Sequence, residues 1–571
     1  MNPVMNTSFL LELDTSRPFT GPLIGLFRVM PDIGLHLAGN SYEFLAWGDP
    51  VSSEDFTRFL PSNLKPQFIV NNLYGHYYYL LADYSRREIT VGGSLFSILP
   101  LYYYEHKGRI ALSGNVFELG RHTGLRTVSA PFVAESLLFN YPLHNRSLIE
   151  GISLLPSNSA LTAGADGFRI AKHFAIGDWF TDDPLPWRRS LSWVAGVFLE
   201  AVLKYFPDEH YTASLTGGFD GRTLVAAGLK YRRDFSCYCI GSASSADLQT
   251  AAHAAEAAGL RFIPVSTDEE YVREQSLDAG LRFIYGSSSV ATFSRGHYIH
   301  AASLLSRESR YIITGNFGSE VFRAVHTPGV MISPALYDVF VSRSPDEAME
   351  KLAGNRMAGL VDRDLLQSVL PALRESVEEL PCFDGRHAGL SRNKQFYIFV
   401  FEEIFRKYFG SEIVNQAPFV RNRTPFLDPL FLSELLETGL AGVHSEFFER
   451  NPVKRFKGQA LYATIIREAA PMLGRFPTVK GYRPDDLLSL AGLFRVAAVR
   501  LNKPPGGAGP DADPLGVMAS WRHNSSFYGG LDADRTVFDT DATASLRGGV
   551  FTDEKARLFS LLYGIHLLNN Q

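Results

Sequence analysis

The run Ser214-Leu215-Thr216-Gly217-Gly218-Phe219-Asp220-Gly221 sets small hydroxyl residues and glycines between an apolar stretch, Tyr211 to Leu215, and a helix-forming stretch, Arg222 to Leu229. A turn of this kind lets backbone N–H groups approach an anion at the positive end of the next helix, which is how proteins cradle phosphate. Asp220 cannot serve an anion directly, but a carboxylate there can hold Mg2+ between itself and phosphate oxygens. Arg222 and Thr223 supply further donors. Taken alone, the same residues also describe a plain tight turn between a strand and a helix, because short glycine motifs recur by chance.

A cradle needs a rigid sheet behind it. Phe235 to Ile240 reads as a strand after the helix, completing a β-turn-α-β unit. Ala251 to Ala258 carries strong helix formers, stops at Gly259 and gives way to Arg261-Phe262-Ile263-Pro264-Val265, so the alternation repeats and predicts a parallel, doubly wound sheet. Upstream, Phe9 to about Leu119 alternates short β-rich runs with turns, among them Phe68-Ile69-Val70, Tyr77 to Leu81 and Leu101 to Tyr104. Thr181-Asp182-Asp183-Pro184-Leu185-Pro186 then leads into a periodic helical stretch from Trp187 to Tyr205. The boundary is placed near residue 180, giving a sheet-rich unit over 1–180 and an α/β unit over 181–571. Helices dominate beyond about residue 340. Lys503-Pro504-Pro505-Gly506-Gly507-Ala508-Gly509-Pro510-Asp511 is too rich in Pro and Gly for regular structure and predicts a mobile loop. Leu558, Leu561, Leu562, Ile565 and Leu568 fall on one helical face behind Thr552-Asp553.

With 571 residues the chain exceeds one ordinary core, and two domains are expected. Hydrophobic residues at 46% and charged residues at 20% describe a globular protein. A net charge of -5 without a long basic run gives no footprint for nucleic acid. Three cysteines, Cys237, Cys239 and Cys382, exclude a disulfide framework, and the C-x-C pair lies in an apolar run that reads as a buried strand. The N-terminus lacks the basic start and apolar core of a signal peptide, and no stretch reaches membrane-spanning length. A cytoplasmic protein without a membrane partner is the expectation.

The glycine loop resembles the Ser-Gly-Gly-x-Asp-Ser motif of the asparagine synthetase family, with Thr216 and Gly221 in the serine places. Further matches follow in the family's order. Thr314-Gly315-Asn316-Phe317-Gly318-Ser319-Glu320 is similar to its Ser-Gly-Glu-Gly-Ser-Asp-Glu segment, Arg423-Thr424-Pro425-Phe426-Leu427-Asp428 resembles Arg-x-Pro-Phe-Leu-Asp, and Lys480-Gly481-Tyr482 resembles the region of the catalytic lysine. Pro100-Leu101-Tyr102-Tyr103-Tyr104 resembles a strand of the family's glutaminase domain. The resemblance implies a degenerate Ntn-hydrolase-like N-terminal domain and a PP-loop ATP-pyrophosphatase domain with a helical C-terminal part. It implies ATP and Mg2+ as cofactors. ATP and pyrophosphate would lie against Ser214, Thr216, Gly217, Gly218, Asp220, Gly221, Arg222, Thr314 and Gly315, with Mg2+ on Asp220 and Glu320 and Lys480 catalytic beside Asp220.

The sequence also departs from the family. The glutamine-hydrolysing members carry a cysteine after the initiator Met, where this chain has Asn2, and no cysteine precedes Cys237. Asn316 stands at the catalytic glutamate and cannot accept a proton at neutral pH, while Ser319 stands at the metal-binding aspartate and leaves Glu320 one position along. These changes are similar to those of two cysteine-less branches, the β-lactam synthetases and the lasso-peptide macrolactam cyclases. They imply an AMP-forming amide ligase acting on a peptide or small carboxylate, with intramolecular macrolactam closure favoured and a precursor-peptide protease as a partner. An asparagine or β-lactam synthetase-like enzyme and a non-catalytic nucleotide-binding pseudo-synthetase stay open as alternatives. Arg421 and Arg423 could meet phosphate, but a fold-buttressing role through Asp428 is the preferred reading.

Overall fold

The computed structural model describes residues 6–15, 21–323, 325, 329, 331–502, 513–547 and 549–570. Asn2 and the Pro/Gly-rich stretch 503–511 lie outside the described residues. Eleven strands come first: β1 (Leu10–Asp14), β2 (Phe27–Val29), β3 (Ile33–Ala38), β4 (Tyr42–Val51), β5 (Tyr74–Asp83), β6 (Glu88–Gly93), β7 (Tyr102–His106), β8 (Arg109–Ser113), β9 (Ser153–Leu154), β10 (Ser159–Gly164) and β11 (Gly167–Lys172). They form two antiparallel sheets, ordered β2-β1-β8-β7-β9 and β11-β10-β6-β5-β4-β3.

The tyrosine run of β5 illustrates why. Its residues alternate between two faces. Tyr77, Tyr79 and Leu81 pack with Phe44 and Phe56 on one side, whereas Tyr78 and Leu80 join Leu45 and Trp47 in the main core on the other. The expected strand around Phe68-Ile69-Val70 is instead a helix, Pro66–Asn72, with Pro at its first turn and Ile69 buried against the outer face of β5. Three apolar residues are too few to distinguish a period of two from one of 3.6.

After the helix Trp187–Ala201, a third sheet holds β12 (Tyr211–Ser214), β13 (Phe235–Gly241), β14 (Phe262–Ser266), β15 (Tyr311–Ile313) and β16 (Arg421–Arg423), in the order β14-β13-β12-β15-β16. Every pairing in it is parallel, and the helices Asp220–Lys230 and Ala246–Ala257 link its first three strands. Cys237 and Cys239 are buried on β13. From β12 the chain moves outward through β13 and β14, then returns to the other side of β12 with β15. The strand order therefore reverses between β12 and β15, and the crevice outside the carboxyl ends of those strands is where open parallel sheets bind ligands.

One apolar core runs through both antiparallel sheets and the helices flanking the parallel sheet, with the Phe96 and Phe401 rings 5.1 Å apart across the junction. At the C-terminus, the helix Asp553–Asn569 is capped by the Thr552 side chain and buries Leu558, Leu561, Leu562, Ile565 and Leu568. No helix among the described residues is long and apolar enough to cross a membrane.

Candidate nucleotide and carboxylate site

The loop between β12 and the helix Asp220–Lys230 lies at the strand-order reversal, and its glycines are places of close approach. A Cβ at Gly221 would stand 2.2 Å from the Ser214 carbonyl oxygen, and one at Gly217 would stand 2.1 Å from Val479 Cγ1. Only glycine lets the loop fold on itself and take a second segment against it. That segment carries Lys480. The Val479 N–H donates to the Gly217 carbonyl at 3.1 Å, and Gly481 at φ +86° turns the chain back so that the Thr478 N–H meets the Tyr482 carbonyl at 2.9 Å. Gly315, after β15, packs its Cα against Asp220 and the Gly221 N–H. Three segments distant in sequence thus converge.

The individual loop groups are distributed unevenly. The Gly218 N–H donates to Thr216 Oγ1 at 3.2 Å, and the Gly217 N–H donates to Asp247 Oδ1 at 3.0 Å, so a carboxylate oxygen from the next helix lies on the donor expected to meet phosphate. The Ser214 hydroxyl pairs with Tyr238. Thr314 gives its hydroxyl to Asn422 Oδ1 at 2.8 Å, and its role is to tie β15 to β16. Arg222, expected among the phosphate donors, is engaged by backbone carbonyls. Its buried guanidinium donates to the carbonyls of Phe476 at 2.6 Å, Pro477 at 3.0 Å and Leu473 at 3.3 Å, pinning the segment that leads to Lys480. Thr223 is likewise buried, donating to the Phe219 carbonyl.

Asp220 stands at the centre. Tyr462 donates to its Oδ1, Ser319 donates to its Oδ2 at 2.9 Å, and Arg323 donates to the Ser319 hydroxyl. Glu320 adjoins it, and burial together with the Asp220 charge pushes its carboxyl up to about 7. Burial, reinforced by the positive charge of Arg323, brings the Lys480 ammonium down to about 8, against the pull of Asp220. Arg500 and Arg455 repel Lys480 as well. Burial and the charges of Arg323 and Arg500 hold Arg455 below its usual value, and its buried Nε has no acceptor. Burial works against charge on Arg323, yet Asp220 and Glu320 keep it above its ordinary value, with its own Nε also unpaired. Four cationic side chains, Lys480, Arg323, Arg455 and Arg500, therefore cluster at a site whose carboxyl groups are Asp220, Glu320 and, on the loop, Asp247. Such a surplus fits a polyanion.

The donor set also fits Mg2+, which takes one or two carboxylates together with phosphate oxygens and water. Asp220 and Glu320 provide two such groups side by side, the Asp220 charge raising the cost of charge on Glu320. No group of three or more His, Cys, Asp or Glu side chains poised for a metal occurs among the described residues, so such an ion would take its other ligands from phosphate and water.

The remaining positions from the sequence reading separate cleanly. Asn316 donates to Glu412 Oε1 at 2.9 Å, and Glu412 pairs with buried Arg295 at 3.0 Å. Phe317 adopts φ +72°, a strained left-handed conformation for an aromatic residue, held by rings of Phe405 and Phe409 at 4.8 and 4.5 Å. Arg423 does buttress the fold, but through Asp49 of β4, at 2.8 and 3.2 Å, and not through Asp428. Asp428 caps the helix Pro429–Leu436 and accepts from Lys204 and Tyr205. Arg421 also approaches Asp49, at 3.7 Å. Sequence reasoning missed Tyr462, Arg323, Arg455, Arg500 and Asp247. Only Arg323 had a local signal, lying one turn beyond Glu320.

Cavities of about 480 and 510 Å3 lie elsewhere, the first between Trp47, Tyr78, Tyr285 and Phe419, the second over β1, β7 and β8. No protein-family model matches the chain, and no curated protein does. Among solved structures, the chain is similar to a glutamine phosphoribosylpyrophosphate amidotransferase from B. subtilis complexed with ADP and GMP. The two are 10% identical over 62% of this chain and 84% of the other, with a TM-score of 0.17, which carries no argument about shared fold or chemistry.

Proposed function

We propose that this chain activates a carboxylate with Mg·ATP and transfers the acyl group to an amine, releasing AMP and pyrophosphate. The observation that carries the reading is the surplus of Lys480, Arg323, Arg455 and Arg500 over Asp220 and Glu320, built around a glycine loop at the strand-order reversal. A PP-loop synthetase unit from about residue 181 onward, joined to a degenerate glutaminase-like unit, is part of the same proposal.

In this reading the loop of Thr216, Gly217 and Gly218 seats the phosphates, and Asp247 yields the Gly217 N–H to them. Asp220 and Glu320 would hold Mg2+, which would supply neutralisation of phosphate charge. The substrate carboxylate oxygen attacks the α-phosphorus, the bond to the pyrophosphate oxygen breaks, and an acyl-adenylate forms. Lys480 places its ammonium where negative charge grows on the α-phosphate and on the later tetrahedral oxyanion. Tyr462 and Ser319 fix the Asp220 carboxylate from both sides. The neutral amine then attacks the acyl carbon, the bond from that carbon to the AMP oxygen breaks, and the amine proton leaves with the AMP phosphate or passes to solvent.

Asn316, bonded to Glu412 and unable to take a proton, offers no base to an incoming amine, so the amine arrives neutral and gains most from being held in place. Macrolactam closure within a peptide is the form of the proposal that follows, since holding both ends together lowers the entropic part of the barrier. Calorimetric titration with Mg·ATP, followed by 31P NMR of turnover with a mixture of peptide acids, tests it. Binding followed by AMP and pyrophosphate is expected. Binding without scission would favour the pseudo-synthetase alternative, and no binding would overturn both.

A further inference from the structure

The helix Leu490–Leu501 stands immediately beyond the Lys480 turn, and its packed side is accounted for. Gly492 and Val496 are buried, Val499 Cγ1 lies 3.2 Å from a Cβ placed on Gly481, and the Arg500 guanidinium lies 6.0 Å over the Tyr482 ring. Its opposite side has no such explanation. Leu490, Phe494 and Leu501 are 80%, 78% and 85% exposed, and Ala497 and Ala498 are exposed with them. At 3.6 residues per turn these five positions form one stripe along the whole helix. Isolated exposed leucines are ordinary in soluble proteins, but an apolar stripe that no described residue covers is not.

The charges around the stripe indicate what covers it. On a helical projection Arg500 and Arg495 sit on its two shoulders, each roughly 100–120° from its centre. Arg495 is anchored to Asp486 at 2.7 Å with its side chain still largely exposed. Arg500 lies close enough to Arg455 for their charges to repel, and Val453, 79% exposed, is two residues from Arg455. An apolar ridge with a guanidinium on each shoulder is the arrangement of a helix lying in a lipid interface, where the ridge enters the acyl boundary and the cations stay at headgroup level. The shape agrees. Leu490, Phe494 and Leu501, at 78–85% exposure, stand clear of the other described residues, which a bilayer accommodates without further shaping.

We propose that the Leu490–Leu501 face docks the protein reversibly on an anionic membrane surface. The inference does not depend on the chemistry performed at that site.

Flotation of the full-length protein with vesicles tests it directly. The protein is expected to float with vesicles of mixed phosphatidylglycerol and phosphatidylcholine, weakly with phosphatidylcholine alone, and less as salt is raised. The double variant Phe494→Asp/Leu501→Asp should lose at least about tenfold in partitioning while its melting temperature and Mg·ATP titration stay as in the parent. The milder Phe494→Ser should show an intermediate loss. Failure of the parent protein to float, or equal flotation of the double variant, would overturn the proposal. So would sedimentation showing that the stripe instead joins two copies of the chain, with a dimer that Phe494→Asp dissolves and no vesicle binding.

Discussion

Glu320 and Lys480 face the same carboxylate, Asp220, yet their ionisations are pushed in opposite directions, the carboxyl up to about 7 and the ammonium down to about 8. If the ionised Glu320 holds Mg2+ and the protonated Lys480 stabilises the transition state, kcat/KM for pyrophosphate exchange should rise through about pH 7 and fall through about pH 8, a narrow bell set by the free enzyme. Lys480→Arg should remove the alkaline limb, because a guanidinium keeps its charge throughout that range. An alkaline fall that survives this substitution would assign the limb to another group. Lys480→Ala should slow exchange about 100- to 1000-fold with little change in Mg·ATP affinity, since its work is done in the transition state. Asp220→Asn keeps the shape that Tyr462 and Ser319 recognise but removes the charge. It should abolish exchange at ordinary Mg2+ while leaving thermal unfolding near that of the parent, and near-normal exchange would count against the metal assignment. Asp220, Glu320 and Lys480 were legible in the sequence because each sits in a short motif. Tyr462, Arg455 and Arg500 were not, because they come from two helices far along the chain, Phe456–Ala469 with its N-cap Arg455 and Leu490–Leu501, and reach the site only after the chain has folded.

The elements that carry these groups are held by two buried arginines. Arg222, a further phosphate donor on the sequence alone, illustrates what a motif cannot encode: position beside a loop does not fix which way a side chain points. Its three carbonyl acceptors tether the Lys480 segment to the helix Asp220–Lys230. Arg222→Met should cost about 2–4 kcal/mol and lower kcat more than it weakens ATP binding, as measured by denaturant melts and single-turnover assays. A loss confined to ATP affinity would restore the phosphate role. Arg423 makes the corresponding tie between β16 and β4 through Asp49. Asp49→Ala strands a buried guanidinium and should cost about 3–5 kcal/mol, whereas Asp49→Leu combined with Arg423→Met should recover much of it. The alternation of strands and helices around the parallel sheet was readable, since apolar strands, glycine turns and helix formers repeat from Tyr211 to Val265. The short strands β15 and β16, three residues each, lacked the length to show a period, and the helix Pro66–Asn72 hid behind an apolar triplet.

For the whole molecule, the antiparallel half shares one core with the half that carries the glycine loop and supplies Asp49 to it, a structural tie between the two. No cysteine precedes Cys237, and burial pushes the thiols of Cys237, Cys239 and Cys382 up to about 12, far from a nucleophilic thiolate. Purified protein should release no glutamate from glutamine, with or without ATP. Release proportional to protein concentration would contradict this. The most direct test of the central claim follows the oxygen atoms of the activated acid. Peptide acids labelled with 18O in their carboxylates are incubated with Mg·ATP and the protein, and the nucleotide product is analysed by mass spectrometry. Adenylation requires one labelled oxygen to appear in AMP, with pyrophosphate released in equal amount and with neither product formed by Asp220→Asn. Labelled inorganic phosphate accompanied by ADP, or unlabelled AMP, would contradict it.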